Sequence, residues 1–169
     1  MGETGLQGSI IQINVSKGGV PKRAIPSGVI TPLGLLGDVQ AHPNIHGGIR
    51  KAVLIIAAET VESLAVRGYP VFFGALGENL TTRGLPFRDL RIGDRLRAGG
   101  ATLEITQPRG PCQQLDIYGE SIKAELYDRK VKTLDPTSPR WGMSGFYSSV
   151  IEAGPVEVGD IIAVVGKLA

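Results

Sequence analysis

A chain of 169 residues with 42% hydrophobic and 20% charged residues has enough apolar matter for one folded core, and its composition excludes a disordered polymer. A net charge of +2 is too small to mark a nucleic-acid binder, and the longest apolar run, residues 52–58, is far too short to span a membrane. One cysteine cannot close an internal disulfide, and no apolar leader follows Met1, so the expected compartment is the reducing cytoplasm. Aromatic residues are few (5%) while glycines (24) and prolines (11) are many, which favours short strands joined by frequent turns over a helical bundle.

In chain order, residues 9–15 alternate from Ile11 onward and predict a first strand. Lys17-Gly18-Gly19-Val20-Pro21 then turns the chain, and residues 22–25 return as a short second strand. Residues 52–57 form a continuous run rich in Val and Ile, which predicts a buried strand. A helix follows over residues 59–67, with Val61, Leu64 and Ala65 as its apolar stripe and Gly68 as its stop. A second helix is predicted over 121–128. Strand-like runs occupy 95–98, 101–106 and 161–165. Three Gly-Asp pairs, 37–38, 93–94 and 159–160, read as turns, the last two leading directly into strands. The expected fold is one domain over residues 1–169, mainly β with a few short helices, its sheet curled into a barrel.

Arg83, Arg88, Arg91, Arg95 and Arg97 cluster in sequence, either as a solvated mixed-charge face or as a rim that attracts an anionic ligand. His42 and His46 stand four apart, but Pro43 and the Gly47-Gly48 pair argue against a zinc-binding helix. In a loop they could still join Cys112 as metal ligands, or simply make loop hydrogen bonds. Gly47 and Gly48 permit close approach of the backbone to an anion, with Lys51 supplying a point charge nearby. A second glycine loop, Gly74-Ala75-Leu76-Gly77-Glu78-Asn79-Leu80, fits neither nucleotide-binding fingerprint, and by spacing alone Glu78 and Asn79 would cap a turn. Gln107-Pro108-Arg109-Gly110-Pro111-Cys112 is expected to leave regular structure after residue 106. It would carry its thiol in a loop beside a fixed cation, where a thiolate can attack electrophiles or bind a soft metal.

Taken together, these pieces resemble the MOSC domain, named for the C-terminal domain of molybdenum cofactor sulfurase. The resemblance runs through Gly19-Val20-Pro21-Lys22, Gly37-Asp38, His46-Gly47-Gly48, Lys51-Ala52-Val53, the Gly74–Leu80 loop and Ile92-Gly93-Asp94. It continues through Gln107-Pro108-Arg109-Gly110-Pro111-Cys112, Gly145-Phe146-Tyr147 and Val158-Gly159-Asp160, and so spans nearly the whole chain. It implies a barrel-like MOSC fold and chemistry of the molybdenum cofactor (molybdopterin) or of sulfur. In the related amidoxime-reducing and hydroxylaminopurine-resistance proteins, the family cysteine ligates molybdenum and N-hydroxylated compounds are reduced.

Carried over, Cys112 is the expected metal ligand and catalytic residue. His46, Gly47, Gly48, Lys51 and Arg109 are expected to contact the cofactor, with Glu78 and Asn79 lining the site. The implied partners are a small-molecule substrate and either a redox protein or a cysteine desulfurase, with neither nucleic acid nor membrane. The alternative is a non-redox sulfur carrier that holds a persulfide on Cys112 for an acceptor metal-sulfur centre. The length leaves no room for the desulfurase domain of the full sulfurase, so pyridoxal phosphate is not expected on this chain. Residues 137–144 depart from the pattern that usually precedes Gly145.

Overall fold

The computed structural model describes residues 5–39 and 48–167. Its strands are β1 (Gln7–Val15), β2 (Arg23–Ile25), β3 (Ser27–Thr31), β4 (Gly34–Leu35), β5 (Val53–Ala57), β6 (Leu80–Arg83), β7 (Arg95–Ala98), β8 (Ala101–Pro108), β9 (Phe146–Glu152), β10 (Gly154–Glu157) and β11 (Ile161–Gly166). Three short helices accompany them: α1 (Ala58–Val66), α2 (Ile122–Leu126) and α3 (Arg129–Lys132). Strands β11, β7, β8, β9, β5, β6 and β1 pair in that order, and β1 pairs back to β11, so seven strands close into a barrel. Strand β2 hangs on β1, while β10, β3 and β4 form a small separate sheet. In the ring only β5 and β6 run parallel, and α1 lies in the connection between them.

All five residues of β5 are buried, as the unbroken apolar run predicts. The reason is that the strand serves two cores. Val53, Ile55 and Ala57 join Ile13, Leu80, Leu103, Ile105 and Phe146 in the barrel interior. Leu54 and Ile56 point the other way, to an outer layer built from Val61 and Leu64 of α1, Leu76, Leu115, and Ile122 and Leu126 of α2. The barrel is therefore filled by its own side chains, and any ligand site must lie outside its wall.

Local departures from the sequence expectations have local causes. The register of β1 against β6 shifts between Ile10 and Gln12, so Ile10 and Ile13 both reach the core and strict alternation breaks. On α1 the inward face is Ala58, Val61 and Leu64, while Ala65 is exposed. Strand β8 does not stop at residue 106 but continues through Gln107 and Pro108, paired with Tyr147 and Phe146. On the β7 side the pairing runs only to Arg95 opposite Glu104, with Ile105 still bonded to Gly93 and Asp94, so Pro108 lies beyond the ladder there and forfeits no bond. The segment expected to be irregular from residue 107 thus begins only at Arg109. The extra helix α3 is stopped at its start by Asp128, whose carboxylate accepts from the Val131 amide at 2.8 Å.

The arginine cluster resolves into a surface face. Arg83 pairs with Glu62 at 2.8 Å, Arg95 with Glu104 at 3.3 Å, and Arg97 with Glu152 at 3.8 Å. Arg91 lies over the Trp141 ring, and Arg88 donates to the Ser138 carbonyl. Two of the Gly-Asp pairs are turns as expected: Asp94 and Asp160 each accept the amide three residues back, from Arg91 and Glu157. The third pair also stands in a turn, with the Asp38 amide donating to the Leu35 carbonyl at 3.0 Å, but its carboxylate is used differently.

Candidate active site

Asp38, of that third pair, accepts both bonds from the Lys22 ammonium, at 2.6 and 2.8 Å, the Ser16 amide at 2.9 Å and the Asn79 side-chain amide at 2.9 Å. Lys22 and Asp38 expose only 8% and 5% of their side chains, so this is a buried, fully used ion pair. Asn79 is equally committed. Its backbone amide donates to the Leu54 carbonyl (2.9 Å) and its side-chain oxygen accepts from the Leu54 amide (3.0 Å). One asparagine thereby ties the second glycine loop to the outward edge of β5.

Beside these groups opens a small cleft of about 60 Å³, lined by Gly19, Val20, Lys22, Asp38, Lys51, Leu54, Gly77, Asn79, Cys112, Gln114 and Tyr147. Leu54 and Tyr147 are cross-strand partners of β5 and β9, so the cleft floor is the outer face of the barrel wall. Cys112 caps a 3-10 turn (Gln113–Tyr118) and is a free, half-buried thiol. That turn is seated by buried Leu115 and by the Tyr118 hydroxyl, which donates to the Ala75 carbonyl at 2.8 Å. The Lys51 ammonium stands 5.3 Å from the centre of the Tyr147 ring, within cation-π range.

Four of the residues singled out by sequence are thus gathered around one region: Cys112, Lys51 and Asn79 line the cleft, and Arg109 stands behind it. Glu78 also lies behind the wall rather than on it, fully buried. Gly48 is exposed, with φ of 93°, and begins the 3-10 turn (Ile49–Lys51) that carries Lys51. His42, His46 and Gly47 lie outside the described residues. Lys22, Asp38 and Tyr147 line the cleft without having been singled out as site residues, although each sits in a motif that carried the resemblance. Asp38 in particular read as ordinary turn chemistry, because only the fold reveals that Lys22 and Asn79 converge on it.

Behind Gly77 sit two buried ionisable groups. Arg109 is 4% exposed; its Nη2 donates to the Leu76 carbonyl at 2.8 Å, while Nε and Nη1 find no hydrogen-bond partner among the described residues. Glu78 accepts at Oε2 from the Gly74 amide (3.1 Å) and the Thr81 hydroxyl (3.0 Å), but Oε1 finds no partner there. Burial pushes the Glu78 carboxyl above the usual carboxylate range, against the opposing pull of those donors and of the Arg109 charge. Burial likewise raises the Tyr147 phenol; the Arg109 guanidinium pulls it back down, and charge on Cys112 adds to the rise.

A carboxyl raised in the folded state favours folding below its unfolded value and loses that contribution as pH rises through its folded one. Replacing Glu78→Gln should therefore leave a protein whose stability falls less than that of wild type as pH rises above about 4.5. Denaturant midpoints measured across pH check this, and parallel curves for the two proteins would refute it.

The glycine loop is shaped by close backbone contact. Gly74 has φ of 95°, and a Cβ there would collide with the Lys22 carbonyl, which itself accepts no slack because the Lys22 amide donates back to the Gly74 carbonyl at 2.9 Å. Gly74→Ala should cost more than the ~1–2 kcal/mol of a left-handed alanine. An equilibrium unfolding curve within 0.5 kcal/mol of wild type, on the order of a surface change, would contradict this.

A family model for the MOSC domain matches residues 42–163. The chain belongs to the MOSC domain family. Protein YiiM of Escherichia coli K12 is 30% identical over 149 residues, covering 83% of this chain and 60% of that protein. YflK of Bacillus subtilis is 36% identical over 126 residues, covering 73% and 52%. This MOSC chain therefore spans about half to three fifths of the length of these relatives. A protein of Gibberella moniliformis described as a reductase is 28% identical over 139 residues, 79% of this chain but 23% of that one. Among solved structures, YiiM from Geobacillus stearothermophilus superposes with a TM-score of 0.68 at 27% identity, over 94% of this chain and 75% of that one. The YUAD protein of Bacillus subtilis matches with a TM-score of 0.67 over 92% and 94%, and at 20% identity that likeness concerns the fold. The mainly β barrel expected from the sequence is the MOSC barrel. No helix among the described residues is long and apolar enough to cross a membrane.

Proposed function

We propose that this MOSC protein binds the molybdenum cofactor in the cleft, with Cys112 as the protein's ligand to the metal, and reduces N-hydroxylated small molecules in the cytoplasm with electrons from a redox partner. The observation that carries this reading is a thiol sharing one cleft with Lys51, Asn79 and Tyr147 while a buried, under-bonded guanidinium stands behind Gly77. The donor set fits. Cys112 offers the cleft one soft thiolate donor, which suits a metal that brings further sulfur ligands of its own. A metal carried by an organic dithiolate is of that kind.

Bound there, the molybdenum centre would supply the two-electron reduction of the N–O bond. The chain's own residues would do the rest. Cys112 would anchor the metal, Lys51 would offer a cation over the Tyr147 ring, and Arg109 would set a positive field under the floor. By the resemblance, His46, Gly47 and Gly48 would also contact the cofactor. Leu54 and Val20 form the apolar part of the cleft lining. A second reading, a persulfide carrier served by a cysteine desulfurase, is favoured by the same lone ligand, since a persulfide needs no further donors.

Elemental analysis of protein purified from cells with an intact molybdenum supply tests the first reading. About one molybdenum per chain supports it. Metal-free protein from such cells, with cyanide-releasable sulfur on Cys112, would move the assignment to sulfur carriage.

A further inference from the structure

Glu78 and Arg109 are the two ionisable side chains enclosed behind Gly77, and neither completes its bonding there. They are not joined as an ion pair, yet the Arg109 charge acts on the Glu78 carboxyl. A buried guanidinium needs a nearby negative charge, and there are two places for one. One is Glu78 itself, when ionised. The other is the cleft, reached past Gly77, whose lack of a side chain leaves the Arg109 Nη2 only 3.9 Å from where a Cβ would stand. Both positions filled at once would put two negative charges on one guanidinium in a poorly solvated place.

We infer that the cleft is a proton-linked oxyanion site: an oxyanion bound on the cleft side of Gly77 takes over the Arg109 charge, and Glu78 takes up one proton from solvent as it does so. The inference rests on the reading of the cleft as the seat of an anionic cofactor, and it adds the ligand class that Arg109 serves and the proton that accompanies it. No bond is made or broken besides the O–H of Glu78.

The other groups around Glu78 leave this exchange to Arg109. Gly74 and Thr81 donate to Oε2 whether or not the acid is ionised at Oε1. Asn14, from β1, is neutral and donates to the Glu78 carbonyl and to Thr81. Lys22, which pairs through its backbone with Gly74, has its ammonium taken by Asp38. Tyr118, on the turn that follows Cys112, feels the Glu78 charge, but its phenol is held above its ordinary range, mainly by burial, and stays neutral where Glu78 titrates. Burial already favours the neutral form of Glu78, and a competing anion acts in the same direction.

The test uses the full chain with carbon-13 in its glutamate carboxyls and sulfate as the probe, because sulfate does not itself titrate near neutrality. The Glu78 carboxyl resonance, assigned through the backbone of Asn79, is followed from about pH 5 to pH 9 in sodium sulfate and in sodium chloride of equal ionic strength. The expected result is a Glu78 midpoint higher in sulfate by about one pH unit, a tenfold linkage, with sulfate binding correspondingly tighter at low pH. Sulfate that perturbs the amides of Gly77 and Cys112 while the Glu78 midpoint stays put would overturn the inference and leave the anionic-cofactor reading standing. Failure of sulfate to perturb the cleft at any pH would sink both.

Discussion

On the proposed assignment, replacing Cys112→Ser should abolish molybdenum binding while leaving the protein folded. The thiol is half-buried, packs at the head of a 3-10 turn, and gives the described fold no bond that a hydroxyl cannot keep, since the turn is held by the Cys112 carbonyl accepting from Leu115 at 3.1 Å. Unfolding free energy should therefore change by less than about 1 kcal/mol. Metal content, by contrast, should fall to background, because a serine hydroxyl is a poor ligand for a soft metal and no described neighbour can take its place. Reductase activity with a chemical electron donor should vanish with the metal. Retained molybdenum in the serine variant would mean that the cofactor is held by the cleft alone and that Cys112 is not its ligand. A large loss of stability with no loss of bound metal or sulfur would make Cys112 a packing residue.

Asp38→Ala should cost far more stability than any surface charge change, about 3–5 kcal/mol. The replacement strands the Lys22 ammonium in a place where its side chain is 8% exposed, and it also removes the acceptor of the Ser16 amide and of the Asn79 side chain. Because Asn79 is what ties the glycine loop to Leu54, the damage should spread to the cleft: cofactor affinity should drop along with stability. The double replacement Lys22→Met with Asp38→Leu should recover part of the lost stability, since it removes the buried charge together with its partner. Chemical denaturation of the three proteins checks the ordering. A single variant within 1 kcal/mol of wild type, roughly the worth of an exposed pair, would show that Lys22 reaches water more easily than its burial indicates.

Much of this architecture was legible from pattern. The unbroken run at 52–57 specified a strand buried on both faces, and Gly68 marked the end of α1. Other features depend on contacts between distant segments, which periodicity does not carry. The bulge in β1 that swaps its inward face, and the extension of β8 through Pro108, are set by where the partner strands begin and end. For the site, the thiol, Lys51 and Asn79 could be named from motif and chemistry. The roles of Asp38 and Glu78 could not. Asp38 in a Gly-Asp turn looks like Asp94 and Asp160 until Lys22 is brought against it. Glu78 is adjacent to a lining residue, but the alternation of the chain at Gly77-Glu78-Asn79 turns its carboxyl inward, into the layer behind the wall.

Closing seven strands into a ring also disposes of most of the places where another chain could add a strand. Among the described residues the remaining free edges are small: β2 has three residues, β4 has two, β10 has four with Pro155 among them, and the end of β8 beyond Ile105 closes on Pro108. A proline on an edge withholds a donor from any incoming backbone. The protein can thus place an open, partly apolar cleft on its outside without offering sticky backbone beside it, and at high concentration it should resist the sheet-to-sheet joining that leads to fibres.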